Sequence, residues 1–281
     1  MNHPYSASPS LDELRSNLVA LGLPRAIEVL NPTVARLERG EIAAVEAMNT
    51  LLGEERLVRE DRRTSTLFRT SRMPAMKTIA AFDFAFQPSL DRERIRALAS
   101  LGFLDRAECV HFIGQSGCGK THLALALGVE AIRHGRAVMF FTLADLIETL
   151  LRAEREGKLR EKITALCRPQ LLIVDEIGYL QVPASGGNLF FQLVNARYEK
   201  GSMILTSNRA FSEWGRIFGS DVVASAVLDR LLHHASVVCI EGSSYRLREH
   251  ASLLPNGIAT APEPPVAKRR GRPPKILTQT H

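Results

Sequence analysis

Apolar side chains recur at helical spacing from residue 11 to about residue 70. One group of leucines falls on a single helical face, and a second apolar group falls on one face of a later helix. The first group is Leu11, Leu14, Leu18 and Leu21, and the second is Ile42, Val45, Met48 and Leu52. Turn-forming Gly22-Leu-Pro24 and Asn31-Pro32 separate the helices. The pattern predicts a small helical module over residues 1–75, with its last helix near residues 42–70.

A different pattern follows, in which short apolar runs alternate with helical stretches. The apolar runs lie near residues 109–114, 138–143, 171–175, 203–208 and 237–241. This alternation predicts an α/β fold, in which a parallel five-stranded sheet is covered by helices on both faces. We assign this domain to residues 76–252. Near its start, Phe82, Phe84 and Phe86 are expected to pack against the domain edge.

The first apolar run leads into a glycine-rich loop that matches the phosphate-binding pattern G-x-x-x-x-G-K-[ST]. Backbone N–H groups of such a loop turn inward around phosphates, and the following helix adds the positive end of its dipole. Lys120 is expected to reach the β- and γ-phosphate oxygens, and Thr121 to ligate Mg²⁺. The predicted nucleotide-binding residues of this segment are Gly114, Gln115, Ser116, Gly117, Cys118, Gly119, Lys120, Thr121 and His122.

Two carboxylates follow the apolar run Leu171-Leu-Ile-Val174. Asp175 is placed to hold the magnesium shell of a P-loop nucleotidase. Glu176 is placed to act as general base for a water that attacks the γ-phosphate. Many kinases need no second acid, because their nucleophile is a substrate hydroxyl. The pair therefore favours nucleotide hydrolysis over phosphorylation of a small molecule, although both residues are also common at turns.

Asn208 ends the fourth apolar run. Ligand groups gather at the carboxyl ends of parallel strands, so this side chain can orient the attacking water or sense the γ-phosphate. The alternative is a turn-forming asparagine without a catalytic role. We also expect the strand that ends here to lie between the P-loop strand and the Asp175 strand in the sheet.

Positive charge is concentrated on either side of the predicted catalytic region. The chain has 281 residues and a net charge of +6, yet residues 56–77 and 263–275 contribute +5 and +4. This asymmetry predicts a polyanionic partner, namely nucleic acid, and we expect double-stranded DNA. A solvated basic face is the alternative for the first segment. The predicted DNA contacts are Arg62, Arg63, Arg69, Arg72, Arg269, Arg270 and Arg272.

The segment 253–281 is rich in proline and polar residues and is expected to be disordered. Within it, Arg270-Gly-Arg-Pro273 is similar to an AT-hook. Glycine would let the backbone approach the floor of a narrow A·T minor groove while the flanking arginines extend along it. A basic tail that binds by sequence-blind counterion release is the alternative.

Several classes of protein are disfavoured by what the sequence lacks. The four cysteines show no paired spacing, and Cys118 lies within the phosphate loop. This usage predicts a reducing, cytoplasmic setting without a zinc or disulfide framework. The amino terminus does not read as a signal peptide, and no apolar run approaches the length of a membrane span. We therefore expect no membrane partner.

With these motifs assembled, the chain resembles AAA+ ATPases, and among them the IstB group of transposition helpers, relatives of DnaC helicase loaders. The resemblance covers residues 11–249. It is carried by Phe82-Asp-Phe-Ala-Phe-Gln-Pro-Ser-Leu90, the segments 117–123 and 172–179, and Leu205-Thr-Ser-Asn-Arg209, Phe211-Ser-Glu-Trp214 and Leu228-Asp-Arg-Leu-Leu-His-His234. The last three are the most specific, since a generic ATPase has no reason to carry them.

The resemblance implies further roles. Asn208 would be the first sensor, and Arg246 a second sensor that contacts phosphate in its own subunit. Arg230 would be an arginine finger that enters the neighbouring subunit's site. From the residues alone Arg230 is an ordinary charge on a helix surface, and Arg209 and Arg216 are alternatives. The chain continues only briefly beyond Arg248, which implies a minimal carboxyl-terminal lid.

The function implied is that of an ATP- and Mg²⁺-dependent helper in a bacterial insertion sequence. Such a protein would assemble on target DNA as a ring or spiral and engage a cognate IstA-type transposase of the DDE class. In that assembly, a helix predicted at residues 145–162 would carry Arg152, Lys158 and Arg160 near DNA, although a solvated helix explains its alternating charges equally well.

Three other functions stay open. A DnaC-like loader of a replicative helicase shares the ATPase core. A DNA-binding architectural protein would use nucleotide only as an assembly ligand, although Glu176 argues against this. A nucleoside kinase has no use for the AT-hook-like tail or for Asn208 at its position.

Overall fold

The computed structural model describes residues 10–246, with the side chain of Ala184 excepted. Three helices come first: α1 (Leu11–Ala20), α2 (Pro24–Glu38) and α3 (Ala44–Thr70). Ser10 caps α1 by accepting from the backbone N–H of Glu13, and Pro24 begins α2 at a position where its missing N–H costs nothing. The predicted helical module is therefore present, and its last helix begins two residues later than expected.

The rest of the described chain alternates helices and strands as predicted. After α4 (Arg92–Ala99) and α5 (Gly102–Asp105), the strands are β1 (Cys109–Gly114), β2 (Val138–Thr142), β3 (Leu171–Ile177), β4 (Ser202–Ser207) and β5 (Ala235–Ile240). The intervening helices are α6 (Lys120–Arg133), α7 (Leu143–Arg155), α8 (Leu159–Cys167), α9 (Ala184–Arg197), α10 (Trp214–Phe218) and α11 (Asp221–Leu232).

All five strands pair in parallel in the order β2-β3-β4-β1-β5. The prediction that β4 separates β1 from β3 is confirmed. Because β4 lies between them, the carboxyl ends of β1, β4 and β3 stand side by side at one edge. At this edge the phosphate loop follows β1, Asn208 follows β4, and the two carboxylates lie near the end of β3.

Two apolar clusters cover the two faces of the sheet, and β3 shows how they divide. Leu172 and Val174 enter one cluster, with α7, α9, α10 and α11, while Leu171 and Ile173 enter the other, with α4, α5 and α6. Side chains alternate between the faces of a strand, so a strand covered on both faces is apolar at every position. Phe82 and Phe84 pack against the second cluster, which confirms their expected place at the domain edge.

Side chains on the amino-terminal side of the domain boundary expected at residue 75 pack against the sheet domain. The last turn of α3 and the segment after it join the second cluster through Leu67, Phe68 and Met73. The backbone carbonyl of Ser71 also accepts a hydrogen bond from the N–H of Phe140 on β2, at 2.8 Å. The carboxyl-terminal part of α3 is therefore anchored to the sheet domain.

The prediction of a single helix at residues 145–162 is wrong. The structure has two helices there, because α7 ends at Arg155 and α8 begins at Leu159. Gly157 lies between them with a φ of +68°, a left-handed conformation that glycine adopts without steric cost. Arg152 therefore lies on α7 and Arg160 on α8, so they do not form one continuous stripe.

The second apolar group of the amino-terminal region is only partly buried. Ile42 is buried, but Val45, Met48 and Leu52 are 70, 62 and 54% exposed. The helical periodicity correctly predicts the helix. It does not predict which of its residues are buried, because α3 packs on α2 through other residues. Within residues 10–246 no helix combines the length and apolar character needed to cross a bilayer. The AT-hook-like residues Arg269, Arg270 and Arg272 lie outside the described residues, as does the segment 253–281.

Candidate active site

The phosphate loop connects β1 to α6, as the motif predicts. Gly117 and Gly119 have φ values of +81° and +100°, a region that other residues rarely adopt. A Cβ at Gly119 would also lie 2.5 Å from the ring of Phe82. Both conformation and space therefore require glycine at position 119. Positive φ values of this kind can turn successive backbone N–H groups toward a ligand.

Lys120 is 6% exposed and turns back against its own loop. Its Nζ donates to the carbonyl oxygens of Gly114 and Gln115 at 2.8 and 2.7 Å and approaches Cys118 Sγ at 3.8 Å. These contacts keep the buried ammonium hydrogen-bonded. Lys120 is the first residue of α6, and these contacts hold its ammonium group against the loop, close to where phosphates would bind.

Asp175 is the centre of a hydrogen-bonded group formed by three segments. It is 4% exposed, and both of its carboxylate oxygens accept from Thr121 Oγ1, at 2.9 and 3.0 Å. The hydroxyl of Thr206 on β4 donates to Asp175 Oδ1. The donor set of one hydroxyl and one carboxylate consists of hard oxygens, which suit Mg²⁺. Thr121 and Asp175 are therefore brought together as predicted.

Glu176 turns away from its neighbour because β3 is irregular there. The register with β4 shifts between Val174 and Ile177, and Glu176 has a φ of +63°. Its backbone N–H donates to Thr206 Oγ1 at 3.1 Å, while its side chain is exposed at the cavity. A residue other than glycine rarely holds this conformation unless its surroundings impose it. The consequence is that adjacent carboxylates occupy different environments, one buried and one open.

Asn208 lies beside this pair. Its side-chain Oδ1 is buried without a hydrogen-bond partner within residues 10–246, and the residue lines the same cavity. Gly178, with a φ of +103°, lets the side chain of Asn208 lie close to the backbone of residue 178. A Cβ at that position would lie only 2.6 Å from Asn208 Oδ1. A buried polar atom without a partner is costly, and a ligand in the cavity would satisfy it.

These groups share one cavity of about 610 Å³, a size that suits a nucleotide. The predicted residues that line it are Gly117, Cys118, Gly119, Lys120, Thr121, His122, Asp175, Glu176, Asn208 and Arg246. Gly114, Gln115 and Ser116 belong to the loop but not to this lining. Sequence reasoning gave no role in this cavity to the other lining residues, which are Met76, Lys77, Thr78, Ala81, Phe82, Asp83, Gln87, Leu125, Tyr179, Thr206 and Tyr245.

His122 helps to place two of these additional lining residues, Thr78 and Phe82. Its Nε2 lies 2.9 Å from the carbonyl oxygen of Thr78, and its ring meets Phe82 edge-on at 5.3 Å. The histidine therefore ties the segment before the sheet domain to the first turn of α6. Phe82 was expected only to pack, and no local signal distinguishes a packing phenylalanine from one that also lines a site.

Two further segments touch the phosphate loop. The hydroxyls of Ser116 and Tyr179 lie 2.8 Å apart, which joins the loop to the segment after β3. The backbone N–H of Tyr245 donates to the carbonyl oxygen of Gly117 at 2.9 Å. This second contact brings Arg246, the predicted second sensor, to the cavity.

Arg230 is not among the residues that line the cavity. It is half-buried near the end of α11, and its guanidinium lies over the ring of Tyr198, 4.7 Å from the centroid. Because α11 leads into β5, this arginine lies toward the amino-terminal edge of the parallel sheet, away from the phosphate loop. Of the two alternatives, Arg209 pairs with Glu213 at 3.2 Å, and Arg216 lies on α10.

The four predicted DNA contacts on or next to α3 fall into two pairs. All four side chains are exposed, and Arg62 and Arg69, seven residues apart, share one side of the helix. Arg63 donates to the carbonyl oxygen of Gly135 at 3.1 Å, and Arg72 lies over the ring of Phe141 at 5.0 Å. The second pair therefore contributes to anchoring α3.

Comparison with known proteins identifies the family of this chain. The profile of the family described as IstB-like ATP binding protein matches residues 16–252. The chain belongs to this family. Among its relatives, the ATP-binding protein of insertion sequence IS5376 from Geobacillus stearothermophilus is 46% identical over 74% of this chain and 83% of its own length. A counterpart from insertion sequence IS232 of Bacillus thuringiensis is 39% identical over 86% of this chain and 97% of its own.

Solved structures support the fold of the family member described here. AMPPCP-bound DnaA from Aquifex aeolicus superposes with a TM-score of 0.51 at 23% identity, over 65% of this chain and 55% of that one. The likeness shows the fold alone, and with the phosphate loop and sheet order it establishes an AAA+ P-loop core. The resemblance to IstB-type proteins and the α/β fold predicted from the sequence are both confirmed.

Proposed function

We propose that this protein is an ATP-hydrolysing, DNA-binding helper of a DDE-type transposase in an insertion sequence. The observation that carries the proposal is the arrangement around Asp175. Thr121, Thr206 and Asp175 form one hydrogen-bonded group, and Glu176 stands beside it at the cavity that the phosphate loop also lines. This arrangement serves hydrolysis of a nucleoside triphosphate better than it serves binding alone.

The phosphate loop and Lys120 bind the phosphates of ATP. Lys120 exchanges its carbonyl contacts for β- and γ-phosphate oxygens, which is a short movement because Nζ already lies over the loop. Thr121 and Asp175 would hold Mg²⁺, which would offset the negative charge that develops on the phosphates. Phe82 and His122 form an apolar and aromatic wall suited to a flat nucleobase.

Glu176 then acts as general base. Its exposed carboxylate accepts a proton from a water molecule that is oriented by Asn208, whose side-chain oxygen lacks another partner among the described residues. Thr206 is a positioning residue, because it fixes the Asp175 carboxylate and the Glu176 backbone at once. General-base catalysis of this kind contributes roughly 10²–10⁴-fold to a rate.

Arg230 completes the site from a neighbouring subunit. It lies outside the cavity of its own chain, so it can stabilise the transferring phosphoryl group only in an assembly. Arg246 contacts phosphate within the same chain. A ring or spiral in which each subunit supplies Arg230 to the next follows from a head-to-tail interface.

DNA binding and the transposase partner rest on charge and on the relatives. Arg62 and Arg69 present an exposed basic side on α3, and residues 263–275 add a second basic segment. The relatives' names place them in insertion sequences, which favours a transposition helper over a replicative helicase loader. Capture of the transposase in preference to a replicative helicase, from mixtures of the purified proteins, distinguishes the two functions.

The proposed hydrolysis is tested by Glu176→Gln, with Glu156→Gln as the matched control on an exposed turn. We expect the first variant to bind a fluorescent ATP analogue as the unaltered protein does and to hydrolyse ATP at least about 100-fold more slowly. The control should keep the full rate. An unchanged rate in Glu176→Gln would show that hydrolysis does not use this carboxylate.

A further inference from the structure

Three metal-ligating side chains meet outside the nucleotide cavity, next to Tyr198, whose ring is covered by Arg230. Glu199 follows the end of α9, and His233 and His234 follow the end of α11. All three are exposed, and the ligand atoms that they offer lie within 4.8 Å of one another. We propose that Glu199, His233 and His234 form a site for a divalent transition metal ion, with Zn²⁺ as the ion that best suits them.

The donor chemistry selects this class of ion. Two imidazoles and one carboxylate are a common ligand set for Zn²⁺, with a fourth position left to water or to another ligand. Ca²⁺ and Mg²⁺ prefer oxygen ligands alone, so they fit less well. The nucleotide site, built from a hydroxyl and carboxylates, therefore attracts a different metal from this one.

One pair of ligand atoms lies close to the separation that zinc requires, and all three lie within 4.8 Å of one another. His234 Nε2 and Glu199 Oε1 lie 3.8 Å apart. Ligand bonds of about 2.0–2.1 Å in a tetrahedron put neighbouring ligand atoms about 3.4 Å apart. The pair has to close by only a few tenths of an ångström, which small side-chain rotations provide. The rings of His233 and His234 are already adjacent, with centroids 4.1 Å apart.

Outer contacts hold the ligands in place. The hydroxyl of Tyr198 lies 2.6 Å from His233 Nδ1 and fixes the orientation of that ring. Tyr198 is itself covered by the guanidinium of Arg230. Hydrogen bonds from a second layer to a metal-bound histidine are a regular part of such sites, because they orient the ring and select its tautomer.

The backbone beneath the cluster is rigid. The turn after α9 is closed by hydrogen bonds from the N–H groups of Lys200 and Gly201 to the carbonyl oxygen of Arg197. The buried guanidinium of Arg197 donates to four carbonyl oxygens, those of Leu166, Pro169, Gln170 and Ser202. Glu199 has a φ of +56° within this turn. A strained residue held by a rigid surrounding is a frequent feature of binding sites.

A metal here would join the ends of α9 and α11, which are far apart in the sequence. An ion that binds only the folded state stabilises it, and the melting temperature rises with the logarithm of the free ion concentration once this exceeds the Kd. Metal binding and the melting temperature are both measured without ATP, so failure of this proposal is distinguishable from failure of the proposed ATP hydrolysis.

The test uses the full-length protein without affinity tags, freed of metal by a chelator and titrated with Zn²⁺ by calorimetry, alongside Co²⁺ titrations followed by visible absorption. We expect saturable binding at this site, a tetrahedral Co²⁺ spectrum and a higher melting temperature with Zn²⁺. His233→Gln, His234→Gln and Glu199→Gln should each weaken that binding at least about tenfold. His134→Gln, a control at an exposed histidine outside the cluster, should bind as the unaltered protein does.

Two results would overturn the proposal. One is the absence of saturable Zn²⁺ binding by the unaltered protein. The other is equal binding by the three cluster variants and the control, which would assign any bound zinc to other residues. Circular dichroism of each variant shows whether it is folded, and the three independent substitutions leave the test intact if one of them is not.

Discussion

His111 is a titratable residue inside the sheet domain, on the strand that leads to the phosphate loop. It is 1% exposed, with Nε2 3.3 Å from the carbonyl oxygen of Leu231 and its ring edge-on to Phe211. Burial lowers the pKa of His111 to about 4, from an ordinary value near 6.5. The folded protein therefore keeps this imidazole neutral at pH values where the unfolded chain protonates it.

This difference predicts how stability depends on pH. Between pH 6.5 and 4 the unfolded state binds a proton that the folded state does not, so the free energy of unfolding falls as the pH falls. From pH 7 to pH 5 the contribution of His111 is about 2 kcal/mol. Urea unfolding at both pH values should show the unaltered protein losing that much more stability than His111→Gln. Equal losses would contradict the assignment.

At the scale of elements, the last residues of β3 and the glycine that follows them decide the catalytic geometry. Glu176 and Gly178 both have positive φ, and Gly178 leaves room for Asn208. In Gly178→Ala the new Cβ would lie 2.6 Å from both Asn208 Oδ1 and Arg209 Cγ. The alanine also has to adopt a φ of +103°, which adds a conformational cost of about 1–3 kcal/mol.

Gly157→Ala is the matched control, because Gly157 also has a positive φ but has open space around its Cα. We expect Gly178→Ala to lower the free energy of unfolding by more than the control does and to reduce ATP hydrolysis, since Asn208 is displaced. Gly157→Ala should lose about 1 kcal/mol and keep its rate. Urea unfolding and steady-state hydrolysis check both. Equal stability and an unchanged rate in the two variants would show that the close contact at Gly178 is unimportant.

The sequence predicts those parts of the site that depend on local patterns. The P-loop, Asp175 and Asn208 each follow an apolar run, and parallel strands bring such positions to one edge. Thr206 could not be singled out, because its link between Asp175 and Glu176 requires the β3–β4 register. Phe82 and Tyr179 join the cavity through contacts with residues distant in sequence. The break between α7 and α8 was missed because one glycine is a weak signal within a helical pattern.

At the scale of the whole molecule, we propose that the active site is completed between subunits. Glu176 lines the cavity of its own chain, whereas Arg230 lies outside it, over Tyr198. If each subunit provides Arg230 to its neighbour, then the base and the finger of one working site come from different chains. A subunit that lacks the base can then supply Arg230 to a neighbour that has the base but lacks the arginine, and that site is complete.

The most direct test mixes Glu176→Gln with Arg230→Ala and measures ATP hydrolysis at high protein concentration with duplex DNA present. Each variant alone should be nearly inactive while still binding ATP. In a random equimolar mixture, about one quarter of the interfaces pair an intact base with an intact arginine, so about a quarter of the unaltered rate should return. A mixture no more active than its components, or an Arg230→Ala variant with the full rate, would contradict a site shared between subunits.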